Sequence, residues 1–249
     1  MTITPIKSRY VQPNDNLQDV ILSVVSEIPE RSVLAVTSKI VALCEGRVVL
    51  KKSGQRQEKH QLVAQEAEQY IDPVVSKYDL MLTIKYGVLS VNAGVDESNV
   101  DQKYYVLLPE NPWGSAVKIW QFCRQHFGVK ELGVIITDSK TTPLKWGVTG
   151  TCLGYCGFEG LKNLIGNKDL AGRALTMTKV NVAEALAASA VYVMGEADES
   201  QPFALITDLP DTKFAQKPPS NKEIAAQLIK PEDDAYWPIL SQAKWKKHI

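Results

Sequence analysis

Residues 85–100, KYGVLSVNAGVDESNV, constrain the fold of this chain most strongly. Apolar residues at 88, 89 and 91 indicate a strand that passes directly into a polar turn. The polar turn contains Asn92, Gly94, Asp96, Glu97, Ser98 and Asn99. Glycines flanking a strand end, followed by short oxygen-bearing side chains, suit a loop that approaches a charged ligand closely. An ordinary hairpin turn would have the same composition, so this stretch alone leaves both interpretations open.

Composition limits the classes of partner. The 249 residues are 45% hydrophobic and 22% charged, as in ordinary globular proteins, and could form one large domain or two interlocked ones. A formal net charge of zero gives no support to a nucleic-acid or anionic-membrane partner. No apolar run approaches the roughly 20 residues that span a bilayer. The start, MTITPIKSRY, lacks the pattern of a signal peptide, so we expect a cytoplasmic protein.

Strand and helix patterns alternate along the chain without regular βαβ repeats, which predicts an α+β fold. Predicted strands cover 33–37, 48–51, 132–137 and 203–207. Predicted helices cover 61–71, 115–127, with Ser115 as N-cap, and 180–194. A polar, proline-containing linker over 210–221 precedes a predicted C-terminal helix at 222–230. We therefore expect a main domain over 1–215 and a helical extension over 216–249 packed on it.

Asp138 closes an apolar strand, and a carboxylate there is a candidate metal ligand or general base. Capping of the next turn is an equally good explanation. Hydroxyls at Ser139 and Thr141 and ammonium groups at Lys140 and Lys145 follow. This mixture suits a magnesium-bound triphosphate, which needs hard oxygen ligands for the metal and cations for phosphate.

Glu196 follows the predicted 180–194 helix and begins an acidic cluster with Asp198 and Glu199. A solvated acidic loop is the simpler explanation. A metal-binding role becomes credible only if Asp138 lies close in space.

Six segments together resemble the coenzyme F420-0:L-glutamate ligase family, the CofE-like γ-glutamyl ligases. They are CEGRVV (44–49), VNAGVDESNV (91–100), LLPENPWGSA (107–116), GVIITDS (133–139), KDLAGRALTMT (168–178) and VMGE (193–196). The chain looks like a divergent, bacterial-type member. The resemblance implies a mixed α/β ligase fold with two interlocked subdomains and an intertwined homodimer.

The resemblance also implies a reaction. Family members use GTP, or ATP in its place, and a divalent metal, Mg²⁺ or Mn²⁺, to join L-glutamate to an acceptor carboxylate through an acyl phosphate. Carried over by position, the metal ligands would be Asn111, Asp138, Ser139 and Glu196, of which Asp138 and Glu196 would be catalytic. The nucleotide would contact Ser38, Lys39, Met194, Gly195, Ala197, Asp198 and Gln201. The substrates would contact Asn92, Asp96, Ser98, Asn99, Lys140, Thr141 and Lys145.

The chain departs from the family pattern at three places. Asn111 stands where an aspartate metal ligand is expected, so metal affinity should fall unless Glu110 substitutes. Leu43 replaces a lysine expected at the nucleotide phosphate, for which Lys39 or Lys85 would have to compensate. The usual DTFGRPWR-like run is DSKTTPLKW here, over 138–146, without its arginines.

Three hypotheses remain open. The first is a ligase acting on an F420-0-like acceptor, and the second is a ligase that glutamylates dihydropteroate in folate synthesis, which the altered 138–146 loop favours. The third is a non-catalytic relative that binds a nucleotide or metabolite, suggested by Leu43 and Asn111. Retention of Asp138, Glu196 and the 91–100 loop argues against the third.

Overall fold

A computed structural model describes residues 1–73 and 77–247 of the chain. Within these residues the fold is mixed α/β, in agreement with the predicted combination of helices and strands. The strands are β1 (Thr2–Ile6), β2 (Ser32–Thr37), β3 (Val48–Leu50), β4 (Gln69–Ile71), β5 (Leu82–Lys85), β6 (Val88–Val91), β7 (Tyr104–Val106), β8 (Leu132–Thr141), β9 (Val148–Cys156), β10 (Leu161–Asn163), β11 (Lys179–Asn181) and β12 (Phe203–Thr207). The α-helices are α1 (Leu17–Val24), α2 (Ser38–Cys44), α3 (Arg56–Glu66), α4 (Pro112–Phe127), α5 (Val182–Met194), α6 (Asn221–Ala225) and α7 (Trp237–Leu240).

The largest sheet has the strand order β1-β12-β2-β8-β9. Its central strands β2 and β8 are parallel, with Thr37 opposite Thr137, and its other pairings are antiparallel. Because β2 and β8 run in the same direction and in register, the residues that follow Thr37 and Thr137 lie side by side, although residues 138–141 remain in β8. This arrangement places the N-terminus of α2 next to the distal half of β8.

Both faces of the large sheet are covered, which explains the buried apolar runs of β2 and of the first half of β8. Alternate side chains of a strand point to opposite faces. Leu34 and Val36 therefore pack in a core with α1, α2 and α4. Val33 and Ala35 pack against α5 in a second core on the other face.

A third, smaller core joins α3, strands β4, β5 and β7, and the turn after β6. Val63 of α3, Met81 and Tyr105 are its central buried side chains. Strands β4, β5 and β6 form an antiparallel sheet beside this core, and β3 pairs with β7. The core supports the polar residues 92–99, which we call the 92–99 loop.

The predicted strands over 33–37, 48–51 and 203–207 are confirmed. The helix predicted over 61–71 is wrong at its end, because α3 stops at Glu66 and residues 69–71 pair with β5 as a strand. The predicted 132–137 strand continues to Thr141, since its second half pairs with β9 in a hairpin.

Two other predicted helix boundaries are wrong. Ser115 is not an N-cap: α4 begins at Pro112, and Asn111 caps it by accepting a hydrogen bond from the backbone N–H of Gly114. The helix predicted over 222–230 is limited to α6. Ser220 and Glu223 form a capping box at the N-terminus of α6. Short helical turns, including α7, follow it.

None of the helices in residues 1–73 and 77–247 has the length and apolar character required to cross a membrane.

Candidate active site

A cavity of about 610 Å³ opens where β2 and β8 end. Ligands of α/β proteins commonly bind at the carboxyl ends of parallel strands. Three segments form most of its wall: the β2–α2 junction, the 92–99 loop and residues 194–202, which we call the 194–202 segment. The volume lies in the range of small-molecule sites.

Asp138 lies beside Ser38 at the base of this cavity. The Ser38 hydroxyl donates a hydrogen bond of 2.9 Å to Oδ1 of Asp138. Burial raises the pKa of Asp138 to about 6, and the nearby negative charge of Asp96 adds to this effect. A carboxylate held in this environment is only partly compensated, so a bound cation would stabilise its charge.

Asp96, in contrast, is stably ionised. Burial alone would raise its pKa, but the Lys39 ammonium and hydrogen bonds from Lys39 and Ser98 outweigh burial and hold the pKa at about 2. Nζ of Lys39 lies 2.7 Å from Oδ2 of Asp96. The same ammonium donates to the carbonyl oxygen of Ser98, at 2.9 Å, and to its hydroxyl, at 3.0 Å. Lys39 thereby fixes the 92–99 loop to α2.

The 194–202 segment is attached to β8 and to the 92–99 loop. Ser139 Oγ lies 2.8 and 2.9 Å from the two carboxylate oxygens of Glu196. The side-chain amide of Asn99 donates to the carbonyl oxygen of Ala197 at 2.7 Å. Ser139 thus joins Glu196 to β8, and Asp138 and Glu196 line the same cavity.

The 92–99 loop begins with three successive residues in the left-handed region: Asn92 (φ 55°), Ala93 (φ 48°) and Gly94 (φ 71°). Such conformations are costly for residues other than glycine and persist only where the surroundings enforce them. The side-chain oxygen of Asn92 accepts from the Met81 N–H at 3.0 Å, and the Ala93 N–H donates to the Thr83 hydroxyl at 2.9 Å. Strand β5 and the residue before it thus hold the turn that directs Asp96 into the cavity.

Most residues singled out from the sequence line this one cavity. They are Ser38, Lys39, Leu43, Asn92, Asp96, Ser98, Asn99, Asp138, Ser139, Met194, Gly195, Glu196, Ala197, Asp198 and Gln201. The convergence brings together side chains up to about 160 residues apart in the chain.

Four residues expected to contact the substrates or the metal lie outside the cavity wall: Lys140, Thr141, Lys145 and Asn111. The Lys140 ammonium pairs with Glu184 of α5 at 3.0 Å, while Thr141 and Lys145 lie towards the end of the β8–β9 hairpin. The Asn111 side chain serves as the N-cap of α4. Lys85 pairs with Glu66, away from the cavity, and so does not stand in for the lysine expected at Leu43.

The donor types around Asp138 fit Mg²⁺ or Mn²⁺. Carboxylate and hydroxyl oxygens of Asp96, Asp138, Ser139 and Glu196 are hard ligands, and burial raises the pKa of Asp138. In residues 1–73 and 77–247, however, no three His, Cys, Asp or Glu side chains converge on one point as a preformed metal site. Asp96 is paired with the Lys39 ammonium.

Two cations of the cavity wall were not anticipated from the sequence, Arg9 and Lys59. Arg9 precedes α1 and pairs with Asp15 at 2.6 Å. Lys59 lies on α3, a helix of polar composition with no recognisable binding motif. Sequence pattern offered no signal for either, because their approach to the cavity depends on how distant elements pack.

Sequence comparisons with known proteins identify the family of this chain. The family model described as F420-0:Gamma-glutamyl ligase matches residues 5–208. The coenzyme F420:L-glutamate ligase of Methanopyrus kandleri is 32% identical over 84% of this chain and 87% of its own. The ligase of Methanocaldococcus jannaschii is 39% identical over 68% of this chain and 66% of its own length. One from Methanococcus maripaludis is 32% identical over 94% of this chain and 90% of its own length. These relatives are archaeal and give the expected bacterial type no support. The chain belongs to the F420-0:gamma-glutamyl ligase family.

Proposed function

We propose that this protein is a nucleotide- and metal-dependent γ-glutamyl ligase. It joins the amine of L-glutamate to an acceptor carboxylate of the coenzyme F420-0 type, with GTP, or ATP in its place, as the source of energy. The family membership and the names of the relatives support the ligase class.

The observation that carries the proposal is the convergence of three segments on the cavity at the ends of β2 and β8. The hydrogen bonds Ser38–Asp138, Lys39–Asp96 and Ser139–Glu196 join these segments. A purely structural polar cluster would not need a cavity of about 610 Å³ beside it. A ligase does, because nucleotide, acceptor and glutamate must be held together.

The proposed reaction has two steps. A carboxylate oxygen of the acceptor attacks the γ-phosphorus of the nucleotide, and the nucleoside diphosphate leaves. The glutamate nitrogen, as the free amine, then attacks the acyl carbon, inorganic phosphate leaves, and the nitrogen loses a proton to form the amide. Both steps develop charge on phosphate oxygens, so the protein contributes mainly by positioning and by electrostatic stabilisation.

We assign the metal to the oxygens of Asp96, Asp138, Ser139 and Glu196, where Mg²⁺ or Mn²⁺ would offset phosphate charge. Asn111 is left out of this assignment because its side chain caps α4. Ser38, Lys39 and the 194–202 segment would border the nucleotide. Asn92 and Asn99 offer amides to the substrates.

The identity of the acceptor has two candidates. The F420-0 type follows from the relatives. Dihydropteroate is the second, and the loop over 138–146 favours it, because this loop lacks the usual arginines and its Lys140 is bound to Glu184. Fewer free cations near the hairpin would suit an acceptor without a phosphate-bearing tail.

We also propose that the enzyme is a cytoplasmic homodimer. Several large apolar side chains are exposed on the β8–β9 hairpin tip, on the 164–178 segment and on α5. They are Leu144, Trp146, Leu170, Met177 and Tyr192. Single exposed apolar residues are common, but a group on projecting segments is typical of an interface.

A phosphate-release assay tests the proposed reaction. Purified protein receives GTP or ATP, Mg²⁺ or Mn²⁺, L-glutamate, and either F420-0 or dihydropteroate. We expect release that depends on one acceptor and on glutamate, with the Asp138→Asn variant inactive. Absence of release with both acceptors, from protein that is folded by circular dichroism, would refute the ligase assignment for these acceptors.

A further inference from the structure

Among the residues that the structure describes, three basic side chains line the cavity: Arg9, Lys39 and Lys59. The lysine expected near a phosphate is replaced by Leu43, whose buried side chain also lines the cavity. A bound polyphosphate therefore needs a cation from elsewhere, and the contacts of the three basic residues distinguish between them.

Lys39 is committed to the protein. An ammonium has three N–H donors, and those of Lys39 have three acceptors within 3.0 Å, on Asp96 and Ser98. Arg9 is matched by the single carboxylate of Asp15. Each of these cations thus forms a pair without net charge.

The positive charge of Lys59 is only partly neutralised by its carboxylate partner. Its ammonium lies 2.9 Å from one oxygen of Glu97, whose other oxygen lies 2.7 Å from the ammonium of Lys51. Both ammonium groups donate hydrogen bonds to this carboxylate, so one negative charge is shared by two positive charges. The trio carries one net positive charge. Among the residues of 1–73 and 77–247, Glu97 is the single hydrogen-bond partner of Lys59 Nζ, which leaves two donors for a ligand.

We propose that Lys59 of α3 binds the polyphosphate of the nucleotide in this cavity, in the role that Leu43 cannot fill. The inference rests on the proposed nucleotide-dependent function. Glu97 orients the ammonium, and Lys51, which lies outside the cavity wall and over the ring of Tyr105, prevents Glu97 from neutralising Lys59 fully. The carboxylates of the 194–202 segment and Asp138 would face the metal-bound side of the same polyphosphate.

The structure supplies a matched control, because Lys51 and Lys59 contact the same carboxylate and only Lys59 lines the cavity. The experiment measures binding of inorganic tripolyphosphate and of a fluorescent GTP analogue, with Mg²⁺ and without acceptor, to the full chain and to its Lys59→Met and Lys51→Met variants. Loss of one charge-assisted contact predicts about tenfold or greater weakening for Lys59→Met. Lys51→Met removes no ligand contact but lets Glu97 neutralise Lys59 more fully, so it should weaken binding by a smaller factor, about threefold. Thermal denaturation of each variant verifies that it is folded.

Equal weakening in both variants would overturn the inference, since Lys59 would then act only through Glu97. Unchanged binding by Lys59→Met, or no binding of either probe by the parent protein, would also overturn it. The ligase proposal fails separately: Lys59-dependent binding of tripolyphosphate without acceptor-dependent phosphate release would sustain the phosphate site and refute the ligase reaction.

Discussion

Ser38 and Asp138 are 100 residues apart in the chain, yet the Ser38 hydroxyl donates a 2.9 Å hydrogen bond to the Asp138 carboxylate. The contact exists because Thr37 and Thr137 are register partners on parallel strands. Ser38 and Asp138 directly follow these two partners, so Ser38, at the start of α2, lies beside Asp138, which continues β8. The strand pairing therefore builds the base of the cavity.

The first prediction is that the buried, ionised carboxylate of Asp138 lowers the stability of the folded protein. Its pKa of about 6 lies above the ordinary value of 3.8, so the native state binds more protons than the unfolded state between about pH 4 and pH 6. Stability from this group is therefore present at low pH and lost as pH rises through 6. We expect Asp138→Asn to stabilise the metal-free protein at pH 7 by about 1–2 kcal/mol, allowing for partial exposure. Chemical denaturation measures this change.

The Asp96→Asn substitution should change the stability at pH 7 in the opposite direction. The pKa of Asp96 is held at about 2, below its ordinary 3.8, so its ionised form stabilises the fold above pH 4 and this contribution is lost as pH falls towards 2. This variant should be less stable than the parent at pH 7. A change of the same sign in both variants would contradict the electrostatic description of the cavity.

The second prediction concerns the pH dependence of metal binding. A cation binds the ionised form of Asp138, so protons compete with it below pH 6. The affinity for Mn²⁺, measured by electron paramagnetic resonance, should fall by up to about tenfold per pH unit below that point. Asp138→Asn should bind Mn²⁺ weakly and without this dependence. A flat profile for the parent protein from pH 5 to 7 would remove Asp138 from the metal site.

The third prediction concerns the turn that begins the 92–99 loop. A Cβ at Gly94 would lie 2.4 Å from Cγ of the buried Leu108 side chain, at a φ of +71°. Gly94→Ala should destabilise the protein by about 2–4 kcal/mol, the sum of backbone strain and overpacking. Gly54→Ala is the control, because Gly54 has a similar φ of +66° and no atom within 4 Å of the added Cβ. It should cost only about 1 kcal/mol. Equal losses in thermal unfolding would mean that the Leu108 contact is unimportant.

The fourth prediction concerns Asn111, which the sequence places at a metal ligand position and the structure places at the N-cap of α4. Asn111→Ala should lower stability by about 1 kcal/mol, whereas Asn111→Asp should retain the cap. Neither change should alter Mn²⁺ affinity measured by calorimetry. A tenfold loss of Mn²⁺ affinity in Asn111→Ala would restore Asn111 to the metal site.

The fifth prediction concerns assembly. Leu144 and Trp146 are exposed at the β8–β9 hairpin tip, Leu144 completely so. The double variant Leu144→Ser, Trp146→Ser should shift the proposed dimer towards monomer in light scattering. Leu50→Ser, a change at another exposed apolar residue on β3, should leave the mass unchanged. A monomeric parent protein would refute the dimer.

Local pattern determined a large part of this protein. The apolar runs of β2, β8 and β12 are visible in sequence because these runs are covered on both faces of the sheet. The polar positions of the 92–99 loop are visible because Asn92, Asp96, Ser98 and Asn99 line the cavity, whereas Ala93 and Val95 are buried in the third core. Segment order was sufficient to recognise the family. Helix boundaries were less predictable, since Asn111 and Ser115 are both acceptable caps and only the capped N–H of Gly114 distinguishes them.

Tertiary structure alone decided which charges meet. Lys39 is bound to Asp96, Lys140 to Glu184 and Lys59 to Glu97, each across 38 to 57 residues of chain. Lysine is a common surface residue with no sequence periodicity that identifies its partner. Its pairing depends on how helices and strands pack, because an ion pair forms only between groups brought within about 4 Å. The sequence therefore names the candidate ligands, and the packing decides which cation is free to bind a phosphate.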